Sequence, residues 1–234
     1  MVCLQETKKA AIDKAMCQSL WGEAEVCWEL QLANNTAGGI LCLWSGRTFK
    51  LQRKVISNGF ILLTGEWIRE AQQVNIIIIY SPTEIQNKRS LWEHVRQQKH
   101  SLSGDLWCIC GDFNSIREPA ERFGISQRDP GNNTIKEFND WINDLEVVEA
   151  PWLGRKFTWV RLNGTSRSKL DRFLLSPEWL DKWPASTQIT LPRNFSEHCP
   201  LLLRSISVDW GPKPFRILDC WLSNKSFKET VYNC

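Results

Sequence analysis

Four consecutive isoleucines, Ile76–Ile79, run directly into Tyr80, Ser81 and Pro82 and restrict the fold more than any other stretch. A run so short and so β-branched reads as a buried strand with polar groups waiting at its carboxyl end. It falls far below the roughly 18 apolar residues a membrane-spanning helix needs, which excludes a transmembrane reading. Residues 106–110 repeat the pattern as a fully apolar strand ending at Gly111-Asp112.

Alternating short apolar runs surround these two. Residues 25–32, 39–43, 49–56, 60–67 and 73–80 read as successive strands, with Gly38-Gly39 and the hairpin signal Asn58-Gly59 as punctuation. Residues 7–21 carry Ile12, Met16 and Leu20 at helical spacing, and Gly22 is a natural stop. Ile85, Leu91, Trp92 and Val95 form a second helical face, with Lys88, Arg89, Arg96 and Lys99 expected on its solvated side. Thr134 and Glu137 make a capping box ahead of Phe138, Trp141, Ile142 and Leu145. Residues 157–161 and 168–175 suggest a hairpin around Asn163-Gly164, and 201–203 a last strand. Mixed strands and helices with many hairpins predict an α/β protein with largely antiparallel sheets.

Composition narrows the class without naming a function. The 234 residues are 24% charged and 42% hydrophobic, as one soluble globular domain requires. The nine cysteines are odd in number and contain no C-x-x-C pair, which predicts reduced core thiols and a nuclear or cytoplasmic setting. The first five residues show neither the basic nor the apolar region of a secretory signal. The net charge of +3 is compatible with a nucleic-acid partner and argues for none. Most of the thirteen tryptophans sit at periodic, core-like positions.

Polar residues at the ends of apolar strands are where such folds place chemistry. Glu6 follows Val2-Cys3-Leu4-Gln5, Tyr80 follows the isoleucines, and Asp112 and Asn114 follow residues 106–110. Asp171 sits in SKLDRFLLS, and Glu197-His198 precede the last strand. Individually each has an ordinary reading: Gly111-Asp112-Phe113-Asn114 equally describes an Asx turn, with Asp112 bonding backbone amides.

Taken in order, LQET, IIIIYSP, GDFN, SKLDRFLLS and SEHCP resemble the endonuclease/exonuclease/phosphatase superfamily, the DNase I-like fold. The segments Phe157-Thr158-Trp159, LDRFLLSPEW and GPKPFRILDCWL are similar to the endonuclease domain of plant LINE-type, non-LTR retrotransposon polyproteins. The resemblance implies a four-layer α/β sandwich, two mainly antiparallel sheets face to face with helices outside. It implies Mg²⁺-dependent hydrolysis of a phosphodiester, with Mn²⁺ as a substitute. Glu6 and Glu197 would contact the metal, a hard cation that prefers oxygen ligands. Asp112 would orient or deprotonate the attacking water, Asn114 would hold phosphate or water, and Tyr80 would donate to a phosphate oxygen. His198 would contact the scissile phosphate, its ring held by Asp171.

Two departures from the family pattern stand out. Family members begin one strand earlier, with an Asn-bearing segment, so the chain is expected to lack the first strand of the fold. The family's Asp before the final His is Glu197 here. Residues 1–208 are thus expected to form the endonuclease-like domain, and 209–234 a linker and the start of a truncated downstream region. In family members that region continues into a reverse transcriptase.

DNA is the expected partner of a monomer with no membrane contact. Backbone phosphates would be met by Arg155, Lys156, Arg161, Arg167, Lys169 and Arg172 around the 157–175 hairpin. Trp159 would pack under that hairpin or meet a nucleotide. The leading expectation is a strand-nicking DNA endonuclease. The alternatives are an inactive remnant with weak nucleic-acid binding and, third, an abasic endonuclease or phosphatase on the same fold.

Overall fold

The computed structural model describes residues 1–9, 11–33, 38–102, 104–124 and 131–205. Its centre is a six-stranded sheet in the order β4 (Phe49–Ser57), β5 (Phe60–Trp67), β6 (Gln72–Tyr80), β7 (Trp107–Asp112), β13 (Asp171–Leu175), β9 (Val148–Glu149). Only the β6–β7 junction is parallel; every other pairing in this sheet is antiparallel. A parallel neighbour needs a crossover, and helix α2 (Ile85–Ser101) supplies it.

The apolar runs become strands buried on both faces. Phe60, Leu62, Ile77, Ile79, Trp107 and Ile109 point to α2 and to helix α3 (Gly131–Asp144), meeting Leu91, Trp92, Phe138 and Trp141. Their alternates Ile61, Leu63, Ile76, Ile78, Cys108 and Cys110 point the other way, to Ile40, Cys42 and Trp44 of β3 (Ile40–Trp44). Period-two alternation on a strand thus fills two cores from one sequence run.

The second β layer consists of two three-stranded sheets rather than one. They are β1 (Val2–Gln5), β3 and β2 (Cys27–Gln31) in the order β1-β3-β2, and β10 (Trp152–Gly154), β14 (Thr187–Thr190) and β15 (Leu201–Arg204) in that order. Among the described residues β1 and β15 each have a ladder partner on one edge only. Helix α1 (Lys14–Trp21) closes the fourth layer through Cys17 and Trp21 against Leu41 and Leu43. A small sheet of β8 (Arg122–Phe123), β12 (Arg167–Ser168) and β11 (Trp159–Val160) lies beside the rim, and α4 (Pro177–Lys182) follows β13.

Three local expectations change. Helix α1 begins at Lys14, not Thr7, because the Asp13 carboxylate caps it by accepting from the Met16 amide at 2.8 Å. Thr134 lies inside α3, which starts at Gly131, so the capping box is not its N-cap. Lys88, expected in solvent, is buried in α2 on one stripe with Leu91, Trp92 and Val95. The expected segment 209–234 lies outside the described residues.

Arg172 is the largest fully buried side chain. Its guanidinium donates to Glu121 at 2.9 Å and to Glu149 at 3.0 Å, and also to the Lys169 carbonyl at 3.0 Å. Burial alone would raise the Glu149 carboxyl, but Arg172 and Lys169 outweigh it and hold the group below its ordinary range. Arg172→Met should therefore strand buried carboxylates and cost about 3–5 kcal/mol in urea unfolding; a loss under about 1 kcal/mol would contradict this.

Candidate active site

Strand register brings the polar ends together. Tyr80 pairs with Asp112 across the parallel junction, and Asp112 pairs with Asp171 on the antiparallel side, so three predicted residues line one rim. Gly111 makes room for a fourth. Its φ is +129°, and a Cβ there would sit 2.0 Å from the Ile79 carbonyl and 2.4 Å from Gln5 Nε2. Gln5 in turn donates to that Ile79 carbonyl, which ties the end of β1, and with it Glu6, to the same rim.

Beyond β7 the chain forms the Asx turn that GDFN allows. The Asn114 amide donates to Asp112 Oδ1 at 2.8 Å, and Asn114 adopts φ 47°. Asn114 Nδ2 donates to the Ser81 carbonyl at 2.7 Å and to Asp112 Oδ2 at 3.3 Å. Both side-chain donors are thus spent inside the protein, so Asn114 steadies Asp112 instead of offering its amide to a phosphate. Phe113 between them is fully buried among Phe138 and Trp141.

His198 comes from the loop before β15, which an isolated bridge to Trp159 holds in place. Its Nδ1 lies 2.9 Å from Asp171 Oδ2, and its Nε2 is 3.9 Å from Asp112 Oδ2. Burial works against the charged ring, but the hydrogen bond and charge of Asp171, with Asp112 behind it, raise the pKa to about 9. At neutral pH the ring is an imidazolium with one N–H spent on Asp171 and the other directed past Asp112. The Asp112 carboxyl moves upward too, to about 7, through burial and then the charge of Asp171. Thr158, fully buried, orients Asp171: its hydroxyl accepts from the Leu170 and Asp171 amides at 2.9 and 3.0 Å.

Glu6 completes the rim with φ 52°. It accepts from the Tyr80 hydroxyl at 2.5 Å and pairs with Lys8 at 3.4 Å. The Tyr80 bond is the main reason that its carboxyl falls below the ordinary range. Burial, and then the bond to Glu6, push the Tyr80 phenol far up, so it stays a donor. Ligand atoms of Asp112, Asp171 and His198 all lie within 4.8 Å of one another. His198 would have to release a proton to ligate, whereas the carboxylates offer oxygen donors directly. Glu6 lies near enough for its charge to help raise Asp112. Crowded anionic oxygens of this kind fit a hard divalent cation, which would relieve their repulsion.

The profile of the Endonuclease/Exonuclease/phosphatase family matches residues 1–198. The chain belongs to that family. Among solved structures it resembles the AP endonuclease LMAP from Leishmania major, with TM-score 0.66 and 14% identity over 86% of this chain and 76% of that one. It also resembles the endonuclease domain of TRAS1, a telomere-specific non-LTR retrotransposon, with TM-score 0.57 and 10% identity over 82% and 90%. The human Nocturnin catalytic domain follows at TM-score 0.51 and 16% identity over 86% and 80%. No curated protein matches the chain. At these identities the likeness is one of fold, and it agrees with the mixed α/β sandwich described above.

Glu197, expected to contact the metal, is engaged with the neighbouring hairpin. Its carboxylate accepts from Trp159 Nε1 at 3.3 Å and from the Leu162 amide at 3.2 Å, while its carbonyl accepts from the Val160 amide at 2.9 Å. The longer side chain reaches the neighbouring hairpin and clamps it to the His198 loop. Two of the expected phosphate contacts are also spent. Arg172 is buried in the ion-pair network, and Lys169 joins it through Glu149 at 2.6 Å. Arg155 and Arg161 are exposed. Lys156 is exposed 3.9 Å from Glu118, and Arg167 stacks on Phe123 and Phe157. Sequence reasoning missed Thr158 and Lys88. The first lay inside a quoted motif, and the second betrays itself by its place on an apolar helical stripe.

The clamp yields a clear expectation. Glu197→Gln keeps one acceptor and should leave divalent-cation affinity, measured by titration calorimetry, within about threefold of wild type; loss of a true carboxylate ligand would cost tenfold or more.

Proposed function

We propose that the chain is a Mg²⁺-dependent endonuclease that hydrolyses a phosphodiester in DNA and nicks one strand. The observation that carries this reading is the array Asp171–His198–Asp112 on one rim with Glu6 beside it. The array sets an imidazolium next to a carboxylate whose pKa lies close to neutrality. A general base works best when its pKa is near the working pH, and Asp112 meets that condition.

In this reading Asp112 accepts the proton of the attacking water while Asn114 and the Asx turn keep its carboxylate in place. The unspent N–H of His198 neutralises charge growing on the phosphate, and Asp171 holds the ring in orientation and protonation. Glu6 would hold the cation, which would supply charge compensation for the departing oxygen. Tyr80 fixes Glu6. DNA as substrate and a LINE-type origin rest on the motif resemblance; likeness to the TRAS1 domain, an endonuclease of a non-LTR retrotransposon, supports them. Exposed Arg155, Lys156, Arg161 and Arg167 are the phosphate contacts that remain.

The test is nicking of supercoiled plasmid with Mg²⁺. Expected are loss in EDTA and a fall of about 10²–10⁴-fold in His198→Ala. Equal nicking in EDTA, or none by the wild-type chain in any divalent metal, would sink the proposal; the second outcome is that of an inactive remnant. The pH profile adds a sign. His198 must carry its proton, so activity should fall as pH rises through about 9. Asp171→Asn should move that limb down toward the ordinary histidine range near ~6.5; an unmoved limb would remove His198 from the mechanism.

A further inference from the structure

Helix α2 carries an apolar stripe in which Leu91, Trp92 and Val95 face the core, and Lys88 occupies the position one turn before them. It is 8% exposed. An ammonium there is costly unless its donors are engaged. They are engaged at a single place: Nζ donates to the backbone carbonyl of Asn114 and, at 2.9 Å, to the hydroxyl of Ser115. Asn114 is also the non-glycine residue held at φ 47°, a conformation that costs of order 1–3 kcal/mol unless the surroundings enforce it. The turn is otherwise closed by Asp112 Oδ1 and the Ser81 carbonyl and packed through Phe113 on Phe138 and Trp141, so among the described residues Lys88 is the polar contact that reaches it from the helix layer.

We infer that Lys88 is a positioning residue, whose ammonium fixes the left-handed Asn114 turn from beneath and thereby sets the direction of the Asp112 carboxylate. This rests on the nuclease reading for its kinetic consequence but not for its structural one. A structural lysine would be replaceable by an apolar side chain of similar length, since the stripe around it is apolar. A positioning lysine is replaceable as far as folding goes and irreplaceable as far as turn geometry goes. That separation is testable because methionine fits the stripe.

The experiment compares Lys88→Met with wild type, with Arg89→Ala on the exposed neighbouring position as control. Lys88→Met is expected to keep its melting temperature within a few degrees and to lose backbone-amide protection at Asn114 in hydrogen exchange by about tenfold or more. Plasmid nicking should fall at least ~10-fold in kcat with KM within about threefold. Arg89→Ala should match wild type in all three. Wild-type exchange at Asn114 together with wild-type kcat in Lys88→Met would overturn the inference, as would a loss confined to KM. If Lys88→Met does not fold, Lys88→Leu and Lys88→Gln follow; failure of all three would make Lys88 a folding residue and overturn it too. Loosened Asn114 exchange in a chain whose wild type never nicks would refute the nuclease reading and leave Lys88 in its role.

Discussion

One parallel junction inside an otherwise antiparallel sheet governs where the polar strand ends gather in this molecule. Antiparallel neighbours send their carboxyl ends to opposite rims, whereas β6 and β7 run together and finish together, at Tyr80 and Asp112. The antiparallel partner β13 then starts at the rim where β7 ends, which places Asp171 opposite Asp112. Three residues from distant parts of the sequence thus share one edge through backbone hydrogen bonds alone. Loops add Glu6 and His198 to a line that the sheet has already drawn.

That line is electrically unbalanced, with three carboxylates gathered at one rim. Burial, and then the charge of Asp171 on the adjacent strand, push the Asp112 carboxyl up to about 7, while Asp171 holds His198 by a hydrogen bond. A third carboxylate, Glu6, is kept ionised by a phenol and a lysine. Away from the rim, opposite charges are matched at close range in the Arg172 network. There guanidinium and ammonium groups meet the Glu121 and Glu149 carboxylates at hydrogen-bond distance.

Much of this was legible in the residues. Strand positions followed from alternation, and Asn58-Gly59 makes the β4–β5 turn, with Ser57 paired to Phe60. The rim residues stood out because each ends or begins an apolar run. What stayed hidden was the fate of long side chains. Lys88, Lys169 and Arg172 look like solvated charge in a sequence, yet Lys88 and Arg172 are buried and Lys169 is half-buried, because their partners Asn114, Glu121 and Glu149 come from remote segments. The hydrogen bonds of Glu197 were hidden for a similar reason: one added methylene lets it reach a hairpin whose position only the tertiary fold determines. The split of the second β layer was equally beyond pattern reading, since a strand's periodicity does not say which edges find neighbours.

Glu6 and Asp112 ride on different sheets. Among the described residues no ladder runs between their two layers; adhesion comes from interdigitated apolar side chains, with Gln5 on the Ile79 carbonyl and Tyr80 on Glu6 as polar stitches at the rim. Anything that bridges the two carboxylates therefore binds across a seam. By linkage, the free energy with which the protein grips such a bridge is also free energy with which the sheets grip each other. Occupancy of the rim and cohesion of the sandwich are, for this molecule, one thermodynamic quantity seen from two sides.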